Sequence, residues 1–311
     1  RDLRMRSDSL LGYNVTELRA TRDFVLEIDS YVVRERLSFI YDATHWLELR
    51  AGVDVDATIL RADITAPDFD ALGDIPDPSF ESAIADFALR SERVGLATFL
   101  SAEIRPMVCL RILPGLRVDW FDYNGSRHVA LDPRITVRWE ALSWLTLKGG
   151  TGLYRQPPNL IQVDPQFGNP TIPPHYSLQS SGGVEFDLDG GWELSVTGFY
   201  NHMYDLPEET SAITTEGDEV QRVNNQASGE GRSVGVEFLV RKRFGDWIHG
   251  WFTYTLSQSQ RRSAGGEWDL FDFDQTHILN FAWSLRLPWH WTIGLRFRLT
   301  SGNPTDQIVG S

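Results

Sequence analysis

The sequence predicts an all-β protein: an antiparallel transmembrane β-barrel formed by a meander of about twelve long strands. Three observations carry this prediction. Stretches of ten to fifteen residues that alternate apolar with polar side chains recur from Trp46 to Thr300. The breaks between them are alternately short and long, and tryptophans cluster beside the short ones. Short turns on one side of a bilayer, long loops on the other and aromatic girdles are typical of membrane barrels.

The composition narrows the function classes. Lysine and arginine number 29 against 43 aspartates and glutamates, a net charge of -14. Such an acidic chain is not expected to bind nucleic acid through a basic face. No run of eighteen apolar residues occurs, which excludes a transmembrane helix. The single cysteine, Cys109, forms no internal disulfide and has no metal-ligand spacing, so we expect neither a metal nor a cofactor.

Alternation defines the strands because successive side chains of a strand point to opposite faces. In the segment 47–59 every odd-numbered residue is apolar and every even-numbered one is polar or glycine. The segment 291–300 repeats the pattern without exception, with Trp291, Ile293, Leu295, Phe297 and Leu299 on its apolar side. One apolar and one polar face on strands this long favour a barrel with lipid outside and water inside.

The pattern predicts twelve strands, each as long as the ~9 to 11 tilted residues that cross a bilayer. They lie at 31–41, 46–60, 89–104, 108–121, 129–139, 144–154, 176–188, 192–204, 233–243, 247–258, 276–287 and 291–300. The residues before Asp29 are ambiguous and have room for one or two more strands.

The connections pair these strands into hairpins. Short turns are predicted at 42–45, 105–106, 140–143, 189–191, 244–246 and 288–290, and loops at 62–86, 123–128, 155–175, 206–230 and 263–274. Three loops, 62–86, 206–230 and 263–274, contain 17 acidic residues and one basic residue, so they carry the acidic excess of the chain. They form either a vestibule that gathers cations or a solvated outer surface bridged to lipid by divalent ions.

Seven tryptophans lie within a few residues of a short turn: Trp46, Trp139, Trp144, Trp192, Trp247, Trp289 and Trp291. Core packing could explain any one of them. Seven at the same kind of position predict an interfacial girdle at that membrane surface.

Several motifs resemble one family. The stretch YRQPPNLIQVDPQFGNP follows a strand, VNNQASGEGRSVGVEFLVRK opens a later hairpin, and FDFDQTHILNFAWSLRLP leads into another strand. Together with YTLSQSQ they resemble the barrel of TonB-dependent outer-membrane receptors, from about Trp46 onward. The resemblance implies a 22-stranded barrel preceded by a plug domain, and import of scarce, bulky nutrients such as ferric siderophores, cobalamin or glycans.

The resemblance also implies a location and partners. We expect the outer membrane of a Gram-negative bacterium, contact with its lipid and lipopolysaccharide, a transported small ligand, and energy from a TonB-type coupling protein that acts through a plug. A 22-stranded barrel at roughly 26 residues per strand needs on the order of 570 residues. We therefore expect residues 1–311 to form one partial barrel domain, without a plug and without the terminal aromatic strand. A self-contained twelve-stranded barrel is the alternative.

Three function classes remain open from the sequence: an active-transport receptor, a passive diffusion porin and a soluble β-sheet protein. An enzyme is not expected. No G-x-S-x-G elbow occurs, and the carboxylate pair Asp54 and Asp56, which a glycosidase could use, would face a wet lumen in a barrel. Polar strand faces of this length argue against a soluble core.

The candidate ligand-binding residues are polar or aromatic and lie where strands emerge on the long-loop side: Tyr154, Arg155, Gln156, Asn201, His202, Tyr204, Asn224, Asn225 and Gln226. Tying loops to the rim of the barrel is the alternative role for each of them. No catalytic residue and no metal ligand is predicted.

Overall fold

In the computed structural model the chain forms one antiparallel sheet, in which each long strand pairs with the next along the sequence. The structure describes residues 3–19, 25–65, 88–164, 168–216, 219–243 and 247–304. These ranges contain no helix that is long and apolar enough to span a membrane. Their strands are β1 (Leu3–Arg19), β2 (Val25–Thr44), β3 (Leu47–Thr65), β4 (Ala88–Met107), β5 (Leu110–Tyr123), β6 (Ser126–Leu142), β7 (Leu145–Gln156), β8 (His175–Leu188), β9 (Trp192–Glu216), β10 (Glu219–Lys242), β11 (Ile248–Arg262), β12 (Asp269–Leu270), β13 (His277–Arg286) and β14 (Thr292–Thr300).

All twelve predicted strands are confirmed, as β2 to β11, β13 and β14. β1 occupies the ambiguous residues before Asp29. β12 is a two-residue strand that pairs only with β11, inside the predicted loop 263–274. The short turns at 189–191 and 288–290 are confirmed as single turns of 3-10 helix. The predicted turn at 244–246 and most of the predicted loop at 62–86 lie outside the described residues.

Two predicted loops are wrong. Within 206–230, β9 continues to Glu216 and β10 starts at Glu219, so these residues extend a hairpin. Backbone hydrogen bonds hold such an extension without an alternating apolar pattern, which is why the pattern missed it. The break at 123–128 is a two-residue turn, in which Asn124 (φ 51°) and Gly125 (φ 86°) adopt the left-handed conformation that an Asn-Gly hairpin favours.

The register places polar and apolar side chains on opposite faces of the sheet. We call the side that carries Asp54 and Glu237 the polar face and the side that carries Val53 and Val236 the apolar face. Buried side chains on the polar face include Thr58, Asp119, Asp132, Thr146, Glu193 and Ser195, whereas large apolar side chains on the other face are exposed, Leu100 by 58% and Leu295 by 60%. This inverts the burial of a soluble sheet and is the arrangement of strands that face lipid.

The two ends of the strands differ. We call the end at which short turns such as 143–144 and 189–191 connect the strands the turn edge, and the opposite end of the strands the loop edge. Six of the seven girdle tryptophans are exposed at the turn edge: Trp46, Trp139, Trp144, Trp247, Trp289 and Trp291. Their exposure argues against core packing and agrees with an interfacial girdle.

Ion pairs cross-link neighbouring strands on the polar face. Asp54 of β3 accepts hydrogen bonds from Arg36 of β2, 2.7 Å away, and from Arg117 of β5. Arg117 also contacts Asp119 at 2.8 Å. Glu185 of β8 is held in the same way by Lys148 and Arg138, at 2.8 and 2.6 Å. The polar face is therefore charged, and its described carboxylates are largely compensated by guanidinium or ammonium groups.

Spin labels at adjacent residues of one strand should consequently report different surroundings, lipid for one and water for the other. Spin labels at Val53 and Val236 are expected to contact lipid, and labels at Asp54 and Glu237 to contact water, because each pair spans the two faces. Accessibility to oxygen and to a nickel chelate in the membrane-inserted full-length protein measures this. Equal accessibility within either pair would contradict the assignment of faces.

Candidate functional site

A long connection crosses the polar face near the loop edge. This segment follows β7, and we call its described residues, 157–164 and 168–174, the strap. Leu160 and Val163 of the strap pack on Phe121, Tyr123 and Ala130 in a buried apolar cluster that Leu60 also contacts. The register places Leu60, Phe121, Tyr123 and Ala130 on the polar face. These four residues form a small apolar patch on an otherwise polar surface, and we call this patch the apolar seat of the strap.

Polar groups of β4, β5 and the β5–β6 turn hold one end of the strap. The Asn124 side-chain amide donates to the Val163 carbonyl at 2.7 Å and to the Ser91 hydroxyl at 2.9 Å, and that hydroxyl donates to the Leu160 carbonyl at 2.8 Å. The Tyr123 hydroxyl donates to the Ile172 carbonyl at 2.8 Å. Burial raises the pKa of the Tyr123 phenol well above its usual value, so this group stays a donor at physiological pH.

A second anchor lies across the sheet. The Asn169 side-chain amide donates to the Asn225 carbonyl of β10 at 2.9 Å, while its oxygen accepts from the Thr171 backbone at 3.0 Å. The strap therefore contacts both the β4–β5 hairpin and β10. It extends across the strands between them at the loop edge.

A cleft of about 630 Å³ opens on the sheet between β6 and β10. Its wall contains Tyr154, Gln179, Asn201, Lys148 and Glu237, with small residues of β7 and β8 between them. Gly150 shows why small residues are needed, because a Cβ there would lie 3.1 Å from the Ile135 carbonyl oxygen. The side chains offer amide, phenol and charged groups around a shallow floor, which suits a polar ligand.

His175, at the start of β8, is a residue that the sequence reasoning missed. It pairs with Gln156 across the polar face. Its Nδ1 atom is buried and has no hydrogen-bond partner within the described part of the chain. Burial, aided by Arg261, lowers the pKa of its imidazole, so the ring is neutral at physiological pH. It lies an even number of residues from the other polar-face residues of β8, and this spacing could have identified it from the sequence.

The structure separates the nine candidate residues. Tyr154, Gln156 and Asn201 share the polar face with the cleft, and Tyr154 and Asn201 line it. His202 and Tyr204 lie on the apolar face, because they pair with Leu178 and Tyr176. Their placement follows from strand parity, since an odd and an even residue of one strand cannot share a face.

The remaining candidates lie near the loop edge, away from the cleft. Arg155 forms an ion pair with Asp132 at 2.8 Å and lies over the ring of Tyr176. Asn225 is buried and holds the strap through its carbonyl, and Gln226 pairs with Glu208. The side chain of Asn224 lies outside the described residues.

The candidate residues offer amide, phenol and charged groups for binding. Within the described ranges no group of three or more His, Cys, Asp or Glu side chains could hold a metal ion. Asp54 and Asp56, the carboxylates considered for glycoside cleavage, are both engaged by arginines. His277, a histidine at the start of β13, contacts the Tyr254 hydroxyl through its Nδ1 atom at 2.9 Å.

Comparisons with known proteins agree with this geometry. A family model described as "TonB dependent receptor-like, beta-barrel" matches residues 4–310. The FrpB iron transporter from Neisseria meningitidis (F3-3 variant) is 13% identical, with a TM-score of 0.65 over 88% of this chain and 43% of that structure. The copper transporter OprC is 14% identical, with a TM-score of 0.66 over 89% of this chain and 44% of that structure.

The pyoverdine outer membrane receptor FpvA from Pseudomonas aeruginosa PAO1, bound to pyoverdine, is 12% identical, with a TM-score of 0.62 over 97% of this chain and 50% of that one. The chain thus spans half or less of the length of these three structures. At such identities the likeness shows the fold alone. The comparison with curated proteins gives no match.

Proposed function

Since the chain belongs to the TonB-dependent receptor-like β-barrel family, we propose that it forms part of the barrel of an outer-membrane receptor that imports a bulky, scarce nutrient. Receptors of this family lie in the outer membrane of Gram-negative bacteria, and they are transporters or receptors and not a class of enzyme. The proposed nutrient classes are ferric siderophores, cobalamin and glycans. The energy would come from the inner membrane through a TonB-type protein and a plug domain elsewhere in the protein.

The observation that carries the proposal is the cleft on the polar face between β6 and β10. It lies on the face that a barrel turns toward its lumen, and it combines Tyr154, Gln179 and Asn201 with a floor of small residues. A bulky ligand in the lumen would find the hydrogen-bonding groups of these residues on this wall. We propose Tyr154, Gln156 and Asn201 as ligand contacts, with Asn225 acting through the strap.

The names of similar structures support a transport role. FrpB is described as an iron transporter, OprC as a copper transporter and FpvA as a receptor bound to pyoverdine. These descriptions concern those proteins. For this chain they make metal-bearing ligands the first class to test.

The test is uptake by cells that produce the full-length protein and lack their other receptors. Ferric siderophores, cobalamin and oligosaccharides are supplied separately as labelled compounds. We expect one class to accumulate and the accumulation to stop when a protonophore dissipates the proton gradient. In planar bilayers the full-length protein is expected to be nearly silent, because a plug fills barrels of this size. Large, steady conductance together with uptake that ignores the protonophore would favour the porin instead.

Variants of the cleft connect this function to the site. Replacing Gln179 and Asn201 together by leucine removes two sets of hydrogen-bonding groups from paired positions on the polar face. We expect the ligand concentration for half-maximal uptake to rise about tenfold, as for loss of one or two hydrogen bonds. The control is Leu178→Val, which changes the neighbouring residue on the apolar face. An equal effect of both changes would contradict the proposed contacts.

A further inference from the structure

A ladder of aromatic and cationic side chains lies on the apolar face at the loop edge. Tyr176 pairs with Tyr204, and His202 pairs with Arg232 across the β9–β10 hairpin. Arg232 in turn pairs with Gln260 of β11. These positions share the face of Val236 and Phe238, which a membrane barrel turns toward lipid.

The rings of this ladder are in contact. Tyr176 and Tyr204 stack with centroids 4.8 Å apart, and Tyr204 and His202 stack at 4.2 Å. Trp268, in the connection after β11, meets the His202 ring edge to face at 6.0 Å. The loop edge thus has its own belt of amphipathic rings, opposite the tryptophans of the turn edge.

Two guanidinium groups lie on Trp268. The Arg232 Cζ is 4.3 Å from a ring centroid of Trp268 and that of Arg262 is 4.7 Å away, within cation–π range. Arg262 is paired with Glu230 at 2.8 Å, whereas Arg232 uses only its Nε atom, to donate to Gln260 at 2.7 Å. Within the described residues the two terminal nitrogens of Arg232 make no hydrogen bond. Glu267 and Asp269 flank Trp268 in the sequence, so the cationic feature of this lipid-facing surface is the Arg232 guanidinium and not a net charge of the cluster.

The height of the cluster on the barrel identifies its surroundings. Trp192 lies at the turn edge and His202 ten residues further along β9, which is the ~9 to 11 residues that a tilted strand needs to cross a bilayer. The cluster therefore lies at the second lipid–water interface, where headgroup phosphates are found. A planar guanidinium is the side chain best matched to phosphate.

We propose that Arg232 and Arg262, held on Trp268, bind the phosphate group of an anionic lipid in the leaflet at the loop edge. The aromatic ladder contacts the adjoining glycolipid or acyl surface and continues the apolar face. The Arg232 guanidinium provides a local cationic contact for such a lipid beside the acidic residues of the connection 263–274. The proposal depends on the membrane orientation and not on transport.

Lipid binding to the delipidated full-length protein tests this, without reference to uptake. Native mass spectrometry and titration would use lipid A with two phosphates, its dephosphorylated form and inorganic phosphate. We expect R232Q to weaken binding of phosphorylated lipid A about tenfold, as for loss of one charge-assisted contact. W268L keeps both charges and is expected to weaken binding less. The control R111Q changes a half-exposed arginine near the turn edge and should have no effect.

Three results would overturn the proposal. One is equal binding of phosphorylated lipid A to the unchanged protein, R232Q and W268L, each with the heat-modifiable migration of a folded barrel. Another is equal binding of the dephosphorylated lipid, which would remove the role of phosphate. The third is occupation by inorganic phosphate at the same concentration as lipid A, which would identify a site for soluble anions.

Discussion

Replacement of Tyr123 by alanine is expected to detach the strap from the sheet. Tyr123 is fully buried, and its ring belongs to the apolar cluster that seats Leu160 and Val163. Deleting a buried aromatic side chain costs about 3–5 kcal/mol, which exceeds what the hydrogen bonds of Asn124 and Ser91 can offset. Hydrogen exchange of the full-length protein, followed by mass spectrometry, should show lost protection in peptides of 157–164, with little change in β8.

The matched control is Tyr123→Phe. It keeps the ring and removes only the hydrogen bond from the phenol to the Ile172 carbonyl. A loss of about 1 kcal/mol is expected, because the cavity is small and one buried carbonyl loses its partner. If alanine and phenylalanine had equal effects, the apolar seat would not be what holds the strap. Unchanged protection in both variants would contradict the described packing.

The second large effect is expected at Asp54. Asp54→Asn leaves Arg36 and Arg117 beside a neutral amide, and the Asp54 side chain is only 15% exposed. Breaking a fully buried pair costs about 3–5 kcal/mol. Arg36 is more than half exposed to solvent, so we expect a smaller loss of about 2 kcal/mol in the free energy of unfolding.

Urea unfolding of the full-length protein in lipid vesicles measures this loss. The control is Glu140→Gln, because Glu140 and its partner Arg111 are both about half exposed, 3.9 Å apart and remote from Asp54. An exposed pair contributes about 0–1 kcal/mol, so this variant should unfold nearly as the unchanged protein does. If both variants unfolded at the same urea concentration as the unchanged protein, the ion pairs of the polar face would not stabilise the barrel.

The sequence alone determined most of the sheet. Twelve strands and the two faces follow from a period of two residues, which is a local property of a strand. The tryptophan belt follows from the position of the tryptophans beside short turns. The strands were not predicted where the alternation of apolar and polar residues is weak. Residues 206–216 and 219–223 are rich in acidic residues and threonine, and only their pairing within the β9–β10 hairpin makes them strands. The Asn-Gly pair after Tyr123 indicates a tight turn from the sequence alone, although the break around it was expected to be longer.

The sequence predicts the face on which each candidate residue lies, but not its partner. Strand parity is enough to separate Asn201 from His202, and it would also have pointed to His175 on the polar face. The partner of each residue was not predictable, because register and bulges set it. His202 meets Glu230 at 3.1 Å beside a register shift between Gly229 and Gly231.

The tertiary structure alone decided where the strap lies. In the sequence, 157–174 is a proline-rich stretch between two strands, with no sign of the face it covers. Its position is set by Ser91, Tyr123 and Asn124, which are 30 to 70 residues earlier, and by Asn225 on the far side. Alternation along a strand is a local constraint that the chain carries in its own order. Contacts between distant segments depend on the complete sheet, since only folding brings those side chains together.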